Sequence, residues 1–92
     1  MPWSELIAFN SYNVAAVPSE AGLYALNDGD KKVIYIGGSD DLNRRLNEHL
    51  PINEENPCIK ENAEYFQYRL MEDWSAEENK FIAEYNPKCN RT

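Results

Sequence analysis

The sequence predicts an α/β domain: a small, mainly antiparallel three-stranded sheet with helices packed around it. Two runs of aliphatic and aromatic residues, 23–26 and 33–36, flank the turn-forming Asn27-Asp28-Gly29-Asp30 and read as a β-hairpin. Residues 63–71 alternate, with Phe66, Tyr68 and Leu70 on one face and Gln67 and Arg69 on the other, the pattern of a half-buried strand. Leu42, Leu46 and Leu50 recur at helical spacing, and so do Trp74, Phe81, Ile82 and Tyr85.

Ninety-two residues make one domain, 1–92, with a lead-in over 1–21 and a motif-bearing core over 22–90. An apolar share of 42% with eleven aromatic residues supports a packed core and argues against disorder. Apolar runs such as 33–36 are too short to span a membrane. The opening Met1-Pro2-Trp3-Ser4-Glu5 lacks the basic start and apolar stretch of a signal peptide, so a cytoplasmic protein is expected. Cys58 and Cys89 show no metal-ligand spacing; they could bridge, but two free thiols are expected in a cytosolic protein. Sixteen acidic residues against nine basic ones leave a net charge of −7. That balance argues against tight, unaided binding to nucleic acid unless basic groups are concentrated locally.

The lead-in is expected to cover the sheet, Trp3, Leu6, Ile7 and Phe9 lining either a short helix or an irregular apolar clamp, with residues 10–13 turn-like. In the hairpin, Gly29 is expected to supply a positive φ. A two-residue loop (28–29) or a four-residue loop (28–31) places Tyr24 and Tyr35 on one face, whereas three or five residues would separate them. Gly37-Gly38 lets the chain leave the strand, and Ser39 reads as the N-cap of a helix with Asp40 and Asp41 in its first turn. That helix stops before Pro51, and Arg45 and His49, four apart, are neighbours on it. Residues 51–62 read as a polar loop. A last helix over 75–85 ends at Asn86-Pro87, and 88–92 form the tail.

Most candidate functional groups have an ordinary structural reading as well. Tyr24 and Tyr35 suit strand packing, His49 suits a helix C-terminus, and Arg44 and Arg45 can answer Asp40, Asp41 and Glu48. Glu78 is more informative, because it lies on the apolar stripe of its own helix, where a carboxylate is costly unless paired or bound to a metal. The alternative is a capping box, Ser75-x-x-Glu78, with Glu78 folded back on the Ser75 N–H.

Taken together, Gly22-Leu23-Tyr24, Tyr35-Ile36-Gly37, Leu42-x-x-Arg45-Leu46-x-x-His49 and Ala76-x-Glu78-x-x-Phe81-Ile82-x-x-Tyr85-Asn86-Pro87-x-x-Asn90 resemble the GIY-YIG nuclease superfamily, in its small stand-alone form. The resemblance covers nearly all of residues 22–90. It implies a metal-dependent endonuclease that hydrolyses DNA phosphodiester bonds, with branched or damaged DNA among the substrates to consider. Glu78 would hold one Mg²⁺ or Mn²⁺ through oxygen. Tyr24 would act as general base or orient the water, helped by a nearby cation or by His49, since a free phenol titrates near ~10. Arg45 would bind the scissile phosphate, and Tyr35 and Asn90 would position phosphate and water. Arg44, Arg45 and Lys88 are the basic groups expected to meet DNA.

Two other readings stand beside this one. The first is a catalytically silent module with the same fold that binds a protein partner through its acidic surface, to which Glu77 and Glu84 would add. The second is a catalytic domain that acts only when a partner supplies affinity for DNA.

Overall fold

The computed structural model describes residues 3–90, so the end of the expected tail, 91–92, lies outside the described residues. The chain runs β1 (Ile7–Ala8), α1 (Ser11–Val14), β2 (Gly22–Asn27), β3 (Val33–Ser39), α2 (Leu42–Glu48), α3 (Pro57–Asn62), β4 (Tyr65–Leu70) and α4 (Trp74–Tyr85), then a 3₁₀ turn at Lys88–Asn90. The sheet has four strands in the order β1-β4-β2-β3, all antiparallel, where three were expected. The additional strand comes from the lead-in, where Ile7 and Ala8 pair with Phe66 and Tyr65. Two residues are too few to show an alternating pattern, so nothing in the sequence marked them as a strand.

The lead-in's helix forms where a turn was expected, at α1, with the Asn10 side chain accepting from the Asn13 N–H at 2.8 Å. Residues 51–62 are likewise not all loop. Asn56 caps α3, and Pro57 occupies its first turn, where a missing N–H costs nothing.

β2 is the central strand and is buried at all six positions. On one face Tyr24, Leu26, Ile34 and Phe66 meet Val14, Val17, Leu42, Leu46, Leu50 and Ile59 in the main core. The other face is closed by α4, whose Trp74 lies over Gly38, while the Arg69 guanidinium sits 5.8 Å from the Trp3 ring and 5.5 Å from the Phe81 ring.

The hairpin differs from expectation in a way that matters for function. Its loop is five residues, 28–32, a length expected to put Tyr24 and Tyr35 on opposite faces. A register slip between Leu26 and Asn27 offsets the odd loop, so Leu26 faces Tyr35, Tyr24 faces Gly37 and the tyrosines share a face after all. The positive φ falls on Lys31, at 67°, and not on Gly29, and the Asp28 carboxylate accepts from the Asp30 and Lys32 N–H groups to hold the turn.

Cys58 and Cys89 are joined in a disulfide, contrary to the expectation of free thiols. α3 and the 3₁₀ turn fold against each other and bring the two Cα atoms to 5.5 Å, within bridging range. The bridge closes 31 residues of chain, which corresponds to about 2–4 kcal/mol of stability. Thiol alkylation of the unreduced protein is expected to find neither cysteine free. Denaturant titration of a Cys58→Ser, Cys89→Ser double variant is expected to show a loss of about that size.

Candidate active site

Tyr24 lies at the centre of β2 with its side chain 1% exposed, and its ring crosses Gly37 on the neighbouring strand. A Cβ at position 37 would stand 2.3 Å from the Tyr24 oxygen, so only glycine lets the phenol lie there. Gly38 meets a similar demand on the opposite face, where a Cβ would fall 2.2 Å from the Trp74 ring. The Gly-Gly pair therefore does not end the strand, as expected; β3 runs on through both residues to Ser39. Each glycine makes room for an aromatic ring.

The N-cap of α2 is Asp41, whose carboxylate accepts from the Arg44 N–H at 3.1 Å, and not Ser39. The Ser39 hydroxyl instead accepts from the Asp41 N–H and so shapes the approach to the helix. Leu42 and Leu46 anchor the helix in the core and turn Arg45 and His49 toward the tyrosines. His49, at the helix end, is buried and accepts or donates at Nε2 with the Tyr24 hydroxyl at 2.7 Å. Tyr35 completes a three-ring cluster, its centroid 6.2 Å from Tyr24 and 5.2 Å from His49. Behind His49, Nδ1 contacts a carboxylate oxygen of Glu54. The other Glu54 oxygen accepts from the Glu55 and Asn56 N–H groups at 3.1 and 3.0 Å.

The charged groups set the protonation of this cluster. Burial pushes the Tyr24 phenol well above its ordinary value; Tyr35 and Glu78 add to the rise and Arg45 opposes it. Burial also lowers His49 below the usual histidine value, against the pull of Glu54, so the resting ring is neutral. For Arg45, burial works against the charge, but the Glu48 carboxylate and the nearby tyrosines outweigh it and raise the guanidinium further. Arg45 donates to Glu48 at 2.8 Å while its charge acts on Tyr24.

Glu78 is half-buried, and its side chain makes no hydrogen bond or ion pair among the described residues. The capping-box alternative does not hold, because α4 begins at Trp74 with Asp73 at its N-cap and Ser75 lies inside the helix. The carboxylate is instead close enough for its charge to reach the Tyr24 phenol. A carboxylate with no partner among the described residues is the kind of donor a hard divalent cation takes, with water and phosphate completing its shell. Among the described residues no group of three or more Asp, Glu, His or Cys gathers at one point, so Glu78 would be the single protein ligand of that kind.

Residues 20–90 match the family described as the GIY-YIG catalytic domain. The chain belongs to this family. The fold agrees with the N-terminal GIY-YIG endonuclease domain of UvrC from Thermotoga maritima. One structure of that domain, a point mutant bound to its catalytic divalent cation, is 24% identical with a TM-score of 0.74, over 88% of this chain and 93% of the other. A magnesium-bound structure of it is 25% identical with a TM-score of 0.73, over 86% and 92%. No curated protein matches the sequence.

Within this GIY-YIG domain the expected site residues separate into two groups. Tyr24, Tyr35 and His49 are in contact, while the charge of Arg45 acts on Tyr24 and His49 and that of Glu78 on Tyr24. Asn90 is committed elsewhere. Its amide accepts from the Ile36 N–H at 2.8 Å and donates to the Ile36 carbonyl at 2.9 Å, which closes the edge of β3. Arg44 is held among Ser39, Asp40 and Glu48 on the surface, and Lys88 lines a separate cleft with Asp28, Asp30 and Lys32. Glu54 was absent from the expected set. It sits in a polar stretch with several other acids, and only the turn after α2, which folds it back under His49, distinguishes it.

His49 faces Glu54, Arg45, Glu48, Tyr24 and Tyr35, and its folded-state value is lowered. The stability this gives is present above the unfolded value of about 6.5 and is lost as the pH falls through it toward the lower folded value. Denaturant melts across that range are expected to show this loss in the wild type and a flatter profile in His49→Gln.

Proposed function

We propose that this domain is a divalent-metal-dependent endonuclease that hydrolyses DNA phosphodiester bonds. The observation that carries the reading is the buried Tyr24–His49 hydrogen bond, with the Tyr24 phenol in reach of the charges of both Arg45 and Glu78. Arg45 exchanges Glu48 for the scissile phosphate, to which its planar donor set is matched, and neutralises charge that builds on the phosphoryl oxygens. Tyr24 takes a proton from the attacking water as its own proton passes to Nε2 of His49. Because the resting phenol is far from ionising, the coupled transfer is what makes it a base: no free phenolate has to form. Tyr35 packs on both rings and limits their rotation. Glu78 would hold Mg²⁺ or Mn²⁺, which supplies Lewis-acid stabilisation of the phosphoryl group and the leaving oxygen.

A second reading, a silent module that binds a protein partner, draws on the net charge of −7 and on the acids that answer both Arg44 and Arg45. Cleavage of duplex, nicked and branched DNA at low salt with Mg²⁺ or Mn²⁺ separates the two. The nuclease reading expects metal-dependent cleavage that disappears in Glu78→Ala and falls by on the order of 10²–10⁴-fold in Tyr24→Phe and Arg45→Ala. Cleavage that persists in Glu78→Ala defeats it, and wild-type protein that neither cuts nor binds any of these DNAs supports the silent module.

A further inference from the structure

We propose that Glu54 is a positioning residue: it holds the proton of His49 on Nδ1 and so keeps Nε2 as the acceptor for the Tyr24 proton. The catalytic consequence rests on the nuclease reading, whereas the proton's location does not.

The argument starts from what each atom can do. An ionised carboxylate only accepts, so the ring nitrogen against it carries hydrogen. Glu54 contacts Nδ1, and both side chains are shielded, at 4% exposure for His49 and 9% for Glu54. With Nδ1 protonated in a neutral ring, Nε2 is a lone pair, and the one hydrogen available to it at 2.7 Å is that of the Tyr24 hydroxyl. In water an isolated imidazole favours the opposite form, with hydrogen on Nε2. That form would donate to Tyr24 and could not take its proton.

Glu54 is itself fixed. The turn after α2 binds its backbone, the Glu54 N–H donating to the Leu50 carbonyl at 2.9 Å. Its second oxygen is occupied by the Glu55 and Asn56 N–H groups, so the carboxylate cannot rotate away from the ring without losing two hydrogen bonds. Position 54 therefore selects a tautomer as well as an orientation.

The proton balance closes. As water attacks phosphorus, its proton moves to the Tyr24 oxygen and the Tyr24 proton to Nε2. This leaves an imidazolium whose Nδ1–H is held by the Glu54 carboxylate. The phosphorus–oxygen bond to the leaving group breaks with its electron pair, and that oxygen takes a proton from solvent. Water returns the imidazolium to neutrality for the next turnover.

Glu54→Gln gives a sharp test. The two backbone N–H groups claim the amide oxygen, so the NH₂ group faces Nδ1 and drives the ring proton to Nε2. His49 is the single histidine in the sequence, so ¹⁵N–¹H long-range correlation spectra of the labelled full chain report on it alone. The expected wild-type spectrum near neutral pH shows Nδ1 protonated and Nε2 bare; in Glu54→Gln the two exchange. With metal and DNA, kcat in Glu54→Gln is expected to fall by on the order of 10²–10⁴-fold with KM little changed, the kind of loss a wrong histidine tautomer causes in Ser-His-Asp enzymes. The wild-type spectrum alone overturns the proposal if Nε2, or both nitrogens, carry hydrogen, whether or not the variant folds. Retention of the wild-type tautomer in Glu54→Gln, or wild-type turnover despite an exchanged tautomer, also overturns it. Should the tautomer exchange between wild type and Glu54→Gln as expected while the wild type shows no cleavage, the nuclease reading fails and the tautomer assignment to Glu54 stands.

Discussion

The hydroxyl of Tyr24 is buried in the middle of the sheet, where an unpaired polar group costs about 1–3 kcal/mol, and it finds its partner 25 residues away in His49. Several otherwise unconnected features are needed to make that hydrogen bond. Gly37 must lack a side chain for the phenol to lie across β3. The register slip at Leu26 must offset a five-residue loop, or Tyr35 would face away. Leu42, Leu46 and Leu50 must seat α2 on the same face, so that the end of the helix delivers an imidazole to the phenol. Core packing and site geometry are here the same constraint.

A second chain of contacts braces the first from outside. β3 is an edge strand, and an open edge exposes unpaired backbone groups that invite association. The Asn90 amide takes the place of a neighbouring strand by bonding both the N–H and the C=O of Ile36. The disulfide from Cys89 to Cys58 then fastens this turn to α3, and the Asn56 side chain reaches the Cys89 carbonyl at 3.5 Å. Asn56 also donates its backbone N–H to Glu54. The strand that carries Tyr35 and the carboxylate behind His49 thus belong to one connected unit, closed by a covalent bond.

How much of this was legible from residue order depends on the range of the forces involved. Local rules found the hairpin, the alternation in β4 and the leucine stripe of α2, because these depend on neighbours within a turn or two. The same rules misplaced the N-cap, since Ser39 and Asp41 are both good caps and only the end of β3 decides between them. They also missed β1, which exists through pairing with β4 and has no pattern of its own. The candidates Tyr24, Tyr35, Arg45, His49 and Glu78 stand out only as a set, because each alone has an ordinary structural use. Glu54, the Asn90–Ile36 contact and the disulfide were not legible, because each depends on a contact made by folding at a distance that no local spacing encodes.

The acidic charge acquires a more specific meaning once the ion pairs are placed. Arg45, the cation beside Tyr24, is paired with Glu48, and Arg44 is held by Asp40 and the same Glu48. All three pairs are substantially exposed, with Arg45 and Glu48 side chains at 37% and 50%. Exposed pairs of this kind are worth only about 0.2–1 kcal/mol, so a phosphate that offers the guanidinium a bidentate, doubly charge-assisted partner can displace Glu48 at little cost. The ion pairs of this helix therefore leave its arginines available to a stronger anionic partner. What the carboxylates do lower is long-range attraction, since a phosphate backbone approaching this surface meets at least as many negative as positive charges. Any phosphate contact at this helix then depends on short-range fit at the arginines more than on a basic surface that gathers nucleic acid from a distance.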